Sequence, residues 1–299
     1  GPTMTDAPVF RRAALLARPS LPAALETMNE AAVWLDGHGC APVIDRAGAE
    51  ATTLSSDWPV VDRDELAASA DVLIAFGGDG TLLDAARAVA NAAHDIPLIG
   101  VNLGHLGFLT DIGRAEMIDA LAALLAGRTH TETRLMLSTV VVGALSDAAP
   151  ARLALNDVVV TRGALSRMMD VEVKVDGQFV CQVKADGLII ATATGSTAYN
   201  LSAGGPIVHP SVDALVLTPI APHTLTNRPV VLPANSRIEL YPSVDPSSEL
   251  LVTIDGQAGI PLGPGGSVTI ERSSRRLSLI HTSARTHFDM LRQKLKWGG

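Results

Sequence analysis

Asp-Val-Leu-Ile-Ala-Phe-Gly-Gly-Asp-Gly-Thr is the sequence of residues 71–81. The apolar run predicts a buried strand, and glycines around a single carboxylate follow where that strand ends. Glycine permits positive φ angles and lets backbone N–H groups approach a ligand closely. The residues after Thr81 have the composition and spacing of a helix, and Thr81 with Asp84 resembles a capping box. The stretch therefore predicts an anion site at a helix N-terminus. The alternative is an ordinary strand-to-helix turn with a solvated carboxylate.

The composition limits the fold and the partners of the chain. It has 299 residues, of which 47% are hydrophobic and only 3% aromatic, so the core must consist of aliphatic side chains in α/β layers. A net charge of −8 argues against nucleic acid or an anionic membrane as a partner. The two cysteines have no metal-ligand spacing, and no apolar run reaches the ~18 residues of a membrane span. These features predict a soluble, cytoplasmic protein with reduced thiols.

The pattern of elements changes along the chain. Residues 1–128 alternate between strand and helix signals, which predicts an N-terminal doubly wound α/β domain. Ligands bind such sheets at the carboxyl ends of the strands, where the glycine-rich turn falls. Residues 129–283 contain short β-branched runs separated by turns, which predicts a β-rich, β-sandwich-like domain. A final helix, at about residues 284–299, is expected to pack back on the first domain.

A second unusual stretch extends from Lys184 to Pro206. An aliphatic strand over 187–193 is followed by a segment rich in glycine, serine and threonine, with Tyr199 near its middle. Hydroxyls and exposed backbone donors can bind a polar ligand, and the tyrosine could stack on a base or ribose. The alternative is a polar surface loop. Neither a P-loop nor a Gly-x-Gly-x-x-Gly fingerprint occurs in the sequence, so nucleotide chemistry would need another device.

Other polar residues are weaker signals when they are taken singly. Asn156 and Asp157 place an amide beside a carboxylate at the start of a predicted strand, although Asn-Asp is also common in turns. Asp255-Gly256-Gln257 is first of all a hairpin turn. Arg162 and Arg167 flank a short loop, where most arginines are simply solvated.

Together these stretches resemble the bacterial type of the NAD kinase family. Gly77–Thr81 is similar to the Gly-Gly-Asp-Gly signature of that family, and Asn156-Asp157 to its Asn-Glu/Asp pair. Residues 186–206 resemble its long glycine-rich motif almost throughout, and Asp255-Gly256-Gln257 falls where the family has a comparable triplet. The resemblance extends over about residues 10–290. The long motif discriminates, because lipid and sugar kinases share the short signature.

The resemblance implies transfer of the γ-phosphoryl group of ATP to the 2′-hydroxyl of the adenosine ribose of NAD. It implies Asp79 as the general base, a divalent metal ion such as Mg²⁺, and a homodimer or homotetramer. Asp186 would hold the second nucleoside part, and Thr197–Ser202 would wrap it; His223 would border the site. The substrate-binding residues that the resemblance implies are Asp79, Gly80, Asn156, Asp157, Arg167, Lys184, Asp186, Thr197, Ala198, Tyr199, Asn200, Leu201, Ser202, Ala221 and Gln257.

Two other functions are compatible with the sequence. A lipid or sugar kinase could share only the Gly-Gly-Asp-Gly turn, although the negative charge and the lack of a basic amphipathic helix disfavour a lipid substrate. A non-catalytic regulator could keep a dinucleotide pocket without the chemistry. The intact Asp79 argues weakly against the regulator.

Overall fold

The computed structural model describes residues 7–52, 58–145 and 151–298. The chain forms two compact units. One, called here the α/β unit, consists of Gly1–Thr133 and Leu277–Gly299, and the other, the β unit, of Arg134–Arg276. In the described residues, no helix has both the length and the apolar character that crossing a bilayer requires.

The α/β unit is built on a parallel sheet. The elements are β1 (Arg12–Ala17), α1 (Pro22–Gly37), β2 (Ala41–Asp45), α2 (Arg46–Ala51), β3 (Val60–Val61), α3 (Leu66–Ser69), β4 (Val72–Gly77), α4 (Asp79–Asn91), β5 (Leu98–Asn102), β6 (Ile112–Gly113) and α5 (Met117–Leu125). The strands lie in the order β3-β2-β1-β4-β5-β6, and every neighbouring pair is parallel. The chain moves outward on both sides of the β1–β4 pair, so the doubly wound prediction is confirmed and the topological switch point lies there.

Strand β4 is buried along its whole length, as its unbroken apolar run predicts. Ile74 and Phe76 pack in the same core cluster as Leu35 of α1 and Leu121 of α5. Burial of each such side chain stabilises the fold by about 1.5–3 kcal/mol. The core thereby fixes the end of β4, and with it the glycine-rich turn that follows.

The turn after β4 differs from its prediction in two respects. Helix α4 begins at Asp79, with Gly78 as its N-cap and no side-chain cap. The predicted capping box is therefore wrong, and Asp84 instead forms an ion pair with Arg87 one turn along α4. None of the three glycines of the turn has a positive φ. Gly77 is required for space, because a Cβ atom there would lie 2.9 Å from Cβ of Thr81.

The β unit is formed by antiparallel strands. The elements are β7 (His130–Ala144), β8 (Ala151–Ala154), β9 (Asp157–Arg162), β10 (Met169–Val175), β11 (Gln178–Ala185), β12 (Gly187–Thr192), α6 (Tyr199–Ser202), β13 (Ala214–Ile220), β14 (Val230–Pro233), β15 (Ile238–Ser243), β16 (Leu250–Ile254), β17 (Ile260–His281) and, in the α/β unit, α7 (His287–Leu295). Hydrogen-bonded neighbours in the sheet follow the order β11-β10-β15-β17-β16-β9-β12-β13-β14. Strands β7 and β17 contain residues of both units.

Strands β9 and β12 are buried on both faces. Val160 and Ile190 belong to the large core of the β unit, whereas Val159 and Ile189 belong to a smaller cluster. Because both faces of β12 are buried, its sequence is a continuous aliphatic run without alternation of polar and apolar residues. Ala203 covers the smaller cluster together with neighbouring apolar residues, which holds the glycine-rich segment after β12 against the sheet.

Candidate active site

Asp79 lies at the switch point of the α/β unit, directly beyond the end of β4. Its Oδ2 accepts a hydrogen bond from the backbone N–H of Phe108, at 2.8 Å. Its Oδ1 accepts from the backbone N–H groups of Leu109 and Thr110, at 3.2 and 3.1 Å, and from Oγ1 of Thr110, at 2.8 Å. The carboxylate is thus fixed by the loop that follows β5.

The two carboxylate oxygens of Asp79 accept different numbers of hydrogen bonds. A carboxylate offers about four lone-pair positions. Oδ1 accepts three of the hydrogen bonds from described residues, whereas Oδ2 accepts one. Oδ2 therefore keeps capacity for a further donor, such as a substrate hydroxyl, while Oδ1 serves to orient the group.

The loop that holds Asp79 was not assigned a role from the sequence. Gly107, Phe108, Leu109 and Thr110 follow β5, the neighbour of β4 in the sheet. A Cβ atom on Gly107 would overlap with the Asp79 carboxylate, most severely with Oδ1, and even Oδ2 would be 2.6 Å away. The signal that could have revealed the loop is its glycine-rich composition after a strand that ends at the same sheet edge as β4.

In the β unit, Asp255 holds the start of β9. Its Oδ2 accepts from the N–H of Leu155 at 2.8 Å, and its Oδ1 from those of Asn156 and Asp157 at 2.7 and 3.1 Å. Asp255 also has a φ of 50°, in the left-handed region, as the hairpin turn predicts. The sequence assigned this residue only to a turn; its carboxylate also positions Asn156 and Asp157.

Asp157 is the buried carboxyl group of this cluster, with 5% of its surface exposed. Burial raises its pKa to about 7, and the negative charge of Asp255 adds to the shift. Near neutral pH the group therefore exists in both protonation states, so it can accept or donate a hydrogen bond. A bound donor would favour the ionised form.

The segment after β12 is helical rather than an extended loop. Thr194–Thr197 forms a 3₁₀ turn, and α6 follows it. Thr192 Oγ1 donates to the carbonyl of Leu155 at 2.5 Å and accepts from the N–H of Gly195 at 3.0 Å. A Cβ atom on Gly195 would overlap with Asn156. The structure therefore brings Asn156, Asp157 and this segment together.

Within α6, neighbouring residues face different surroundings. Asn200 is fully buried, and its amide donates to the carbonyls of Ser196 and Pro206 and accepts from Thr218. Its side chain is thus occupied within the protein and holds the segment in shape. Tyr199 is 45% exposed, so its ring is accessible to a ligand. Around it, Thr197, Ala198 and Leu201 are half-buried and Ser202 is exposed.

A second group of predicted residues lies around Asp186. Asp186 accepts from Nε of Arg162 at 2.8 Å, and the carbonyl of Lys184 accepts from the N–H of His223 at 3.0 Å. Lys184 Nζ is 3.9 Å from Asp170. Ala221 is exposed and has a φ of 47°, a strained conformation for a residue other than glycine.

The predicted residues of the β unit therefore form two groups. The Asp157 group consists of Asn156, Asp157 and residues 194–202, with Gln257 in the turn beyond β16. The Asp186 group consists of Lys184, Asp186 and Ala221. Asp157 pairs with Ala191 near the end of β12, whereas Asp186 precedes its start, so the groups are roughly 15 Å apart. Asp186 and the segment that contains Thr197–Ser202 thus lie at opposite ends of β12. Arg167 is exposed and follows Ser166, whose carbonyl accepts from the same Arg162 that binds Asp186.

The described residues contain no cluster of three or more His, Cys, Asp or Glu side chains arranged to hold a metal ion. Mg²⁺ usually binds one or two carboxylates together with substrate phosphates and water, rather than a cage made only of protein. A single carboxylate such as that of Asp79 can supply the protein's part of such a site.

Comparison with known proteins identifies relatives along most of the chain. Residues 14–129 match the ATP-NAD kinase N-terminal domain, and residues 155–282 match the ATP-NAD kinase C-terminal domain. The chain is 45% identical to the NAD kinase of Solibacter usitatus, over 97% of this chain and 99% of that protein. It is 40% identical to the NAD kinase of Geotalea daltonii, with the same coverage.

Solved structures give the same result for the fold. Yeast NADH kinase in complex with NADH has a TM-score of 0.87 at 24% identity, covering 98% of this chain and 89% of that one. An NAD kinase from Archaeoglobus fulgidus in complex with ATP has a TM-score of 0.74 at 27% identity, covering 96% and 100%. With two matching domains and full-length relatives, the chain belongs to the NAD kinase family and is an enzyme that phosphorylates NAD with ATP.

Proposed function

We propose that Asp79 is the general base that takes the proton from the 2′-hydroxyl of the adenosine ribose of NAD. The supporting observation is its carboxylate, which four hydrogen bonds fix beyond β4 while Oδ2 keeps acceptor capacity. Phosphoryl transfer depends mainly on positioning and on charge stabilisation. A fixed carboxylate oxygen near the attacking hydroxyl supplies the positioning part.

A divalent ion, with Mg²⁺ as the first choice, is proposed to accompany ATP and to neutralise the charge of its phosphates. Asp79 is proposed as the carboxylate that acts beside this ion. Arg167 and Lys184 are proposed to supply positive charge near phosphate; both are exposed, in a protein with a net charge of −8.

The two groups of the β unit are proposed to bind nucleoside parts of the substrates. Asn156 and Asp157 offer an amide and a carboxyl group to sugar hydroxyls or a base, and Tyr199 offers a stacking surface. Asp186 and Ala221 are proposed to line a pocket with His223 at its border, and Gln257 is proposed to contact the ligand of the Asp157 group. Asn200 holds the segment of the Asp157 group in shape from within the fold.

A homodimer or homotetramer is proposed as the working form. It would allow the Asp157 group of one copy and the Asp186 group of another to contact one nucleotide, although the groups are roughly 15 Å apart in a single chain. Cys40 and Cys181 are free thiols, which supports a reducing, cytoplasmic location. Light scattering of the purified chain, with and without NAD, measures the assembly.

The first prediction concerns the phosphoryl acceptor, NAD, and the phosphoryl donor, ATP. Incubation of the chain with NAD, ATP and Mg²⁺ is expected to yield NADP, and omission of the metal ion is expected to abolish the product. NADH and polyphosphate replace NAD and ATP in parallel reactions to define the specificity. NAD binding without turnover would instead favour a regulator.

Gly80 gives a second prediction. It is exposed in the first turn of α4, and a Cβ atom there would meet no atom within 4 Å. Gly80→Ala is therefore expected to stabilise the free protein by about 0.5–1 kcal/mol. If the Gly80 backbone lies against the substrate, the same methyl group raises the KM for NAD. Thermal unfolding and initial rates measure the two effects.

Gly37 of α1 provides the matched control. It is also exposed, and a Cβ atom there would also meet open space. Gly37→Ala is expected to change stability in the same direction while KM stays the same. Equal KM values for all three proteins would remove Gly80 from the proposed contacts.

A further inference from the structure

The loop that holds Asp79 is itself held by a distant part of the chain. We define the C-terminal clamp as His281, Arg285, His287 and Lys294, which lie at the end of β17, before α7 and on α7. All four belong to the α/β unit. Their contacts reach Phe108, the first residue that donates to Asp79, and Asp111, which follows the last donor, Thr110.

Phe108 is the first contact of the clamp. Its ring lies 5.0 Å from Nζ of Lys294, in a cation–π geometry, and 6.2 Å from the ring of His287. The backbone N–H of the same residue donates to Oδ2 of Asp79. Helix α7 starts with a reciprocal capping box between Thr286 and Asp289, which fixes its first turn and therefore His287.

Asp111 is the second contact, and it directly follows Thr110. Its carbonyl accepts from Arg285 at 2.5 Å, and its Oδ2 lies 3.2 Å from Nδ1 of His281. Arg285 also forms an ion pair with Glu116 at 2.7 Å. Both the backbone and the carboxylate of Asp111 are thus bound by the clamp.

His281 joins two carboxylates in a nearly buried position. Its Nε2 is 3.0 Å from Glu132, and its ring stacks on His130 at 5.1 Å. Burial alone would lower the pKa of His281, but hydrogen bonds and charges from Asp111 and Glu132 raise it to about 9. At neutral pH the residue is an imidazolium, so both ring nitrogens donate.

We propose that His281 and Arg285 are positioning residues for phosphoryl transfer, because they fix Asp111 and thereby the N–H groups of residues 108–110 that orient the Asp79 carboxylate. The inference rests on the proposed role of Asp79 as the base. Loss of either residue would let the loop move, and a displacement of about 1 Å at a reacting group can cost about 10²-fold in rate.

The experiment compares His281→Gln and Arg285→Gln with wild type and with His94→Gln, which changes an exposed histidine of the α/β unit. We expect kcat to fall about 10–10²-fold in the first two variants while the KM for ATP stays nearly constant. Hydrogen exchange should become faster at the amides of Phe108, Leu109 and Thr110. Arg285→Lys should recover part of kcat, because it restores a donor to the Asp111 carbonyl. His94→Gln should behave as wild type.

Combination with Asp79→Asn separates positioning from general destabilisation. If the clamp acts through Asp79, adding Arg285→Gln to Asp79→Asn should lower the residual rate very little. Wild-type kcat in both single variants, or losses that multiply in the double variant, would overturn the inference. If His281→Gln does not fold, the partly exposed Arg285 variants decide the question. Wild-type turnover in Asp79→Asn alone would instead refute the proposed base.

Discussion

Asp79→Asn is expected to lower kcat for NADP formation by about 10²–10⁴-fold, the range that general-base catalysis contributes. The amide cannot take a proton from a hydroxyl. In addition, whichever way it is oriented, its NH₂ group faces a backbone N–H, because the N–H of Phe108 points at one oxygen and those of Leu109 and Thr110 point at the other. Steady-state kinetics with saturating ATP measures the loss.

The second consequence of the substitution is structural. An unsatisfied donor in a half-buried position costs about 1–3 kcal/mol, so the thermal midpoint should also fall. Asp119→Asn is the matched control, since Asp119 stands in the first turn of α5 as Asp79 does in α4, but is exposed. Both variants lose a charge that favours a helix N-terminus. Only Asp79→Asn should lose activity, and similar kcat values for the two would rule out Asp79 as the base.

The end of β4 could be predicted from the sequence because its signals are local. A buried strand, a glycine turn and a helix follow one another within residues 71–91, and the structure confirms each of them. The hairpin turn at Asp255-Gly256 is equally local, and Asp255 has the left-handed φ that such a turn requires. The predicted helix start was wrong, because α4 begins at Asp79 and Thr81 lies within its first turn instead of capping it.

The contacts of Asp79 could not be predicted, because its donors are about 30 residues away in the sequence. No periodicity in the sequence indicates a contact over that distance. The family signature includes Asp79 but not the residues that donate to it. The separation of Asp186 from the Asp157 group follows from the antiparallel register of β9 and β12, which the sequence does not reveal.

Gly107→Ala should reduce kcat nearly as much as loss of the base, by about 10²-fold, although Gly107 has no reactive group. Its backbone does not have a positive φ, so alanine itself adds no conformational strain. The added methyl group would instead overlap with the Asp79 carboxylate, most severely with Oδ1, and even Oδ2 lies 2.6 Å from the Cβ position. The carboxylate or the loop must therefore move, and the hydrogen bonds from residues 108–110 lengthen or break.

Gly104→Ala tests whether this effect is steric and local. Gly104 lies in the same loop, and the nearest atom to its Cβ position is Oδ1 of Asn102, at an ordinary 3.8 Å. Its kcat should match that of wild type. If Gly107→Ala were as active as Gly104→Ala, the orientation of Asp79 by this loop would not limit catalysis. A loss confined to Gly107→Ala would show that a rigid carboxylate, and not merely its presence, sets the rate, since that variant retains Asp79.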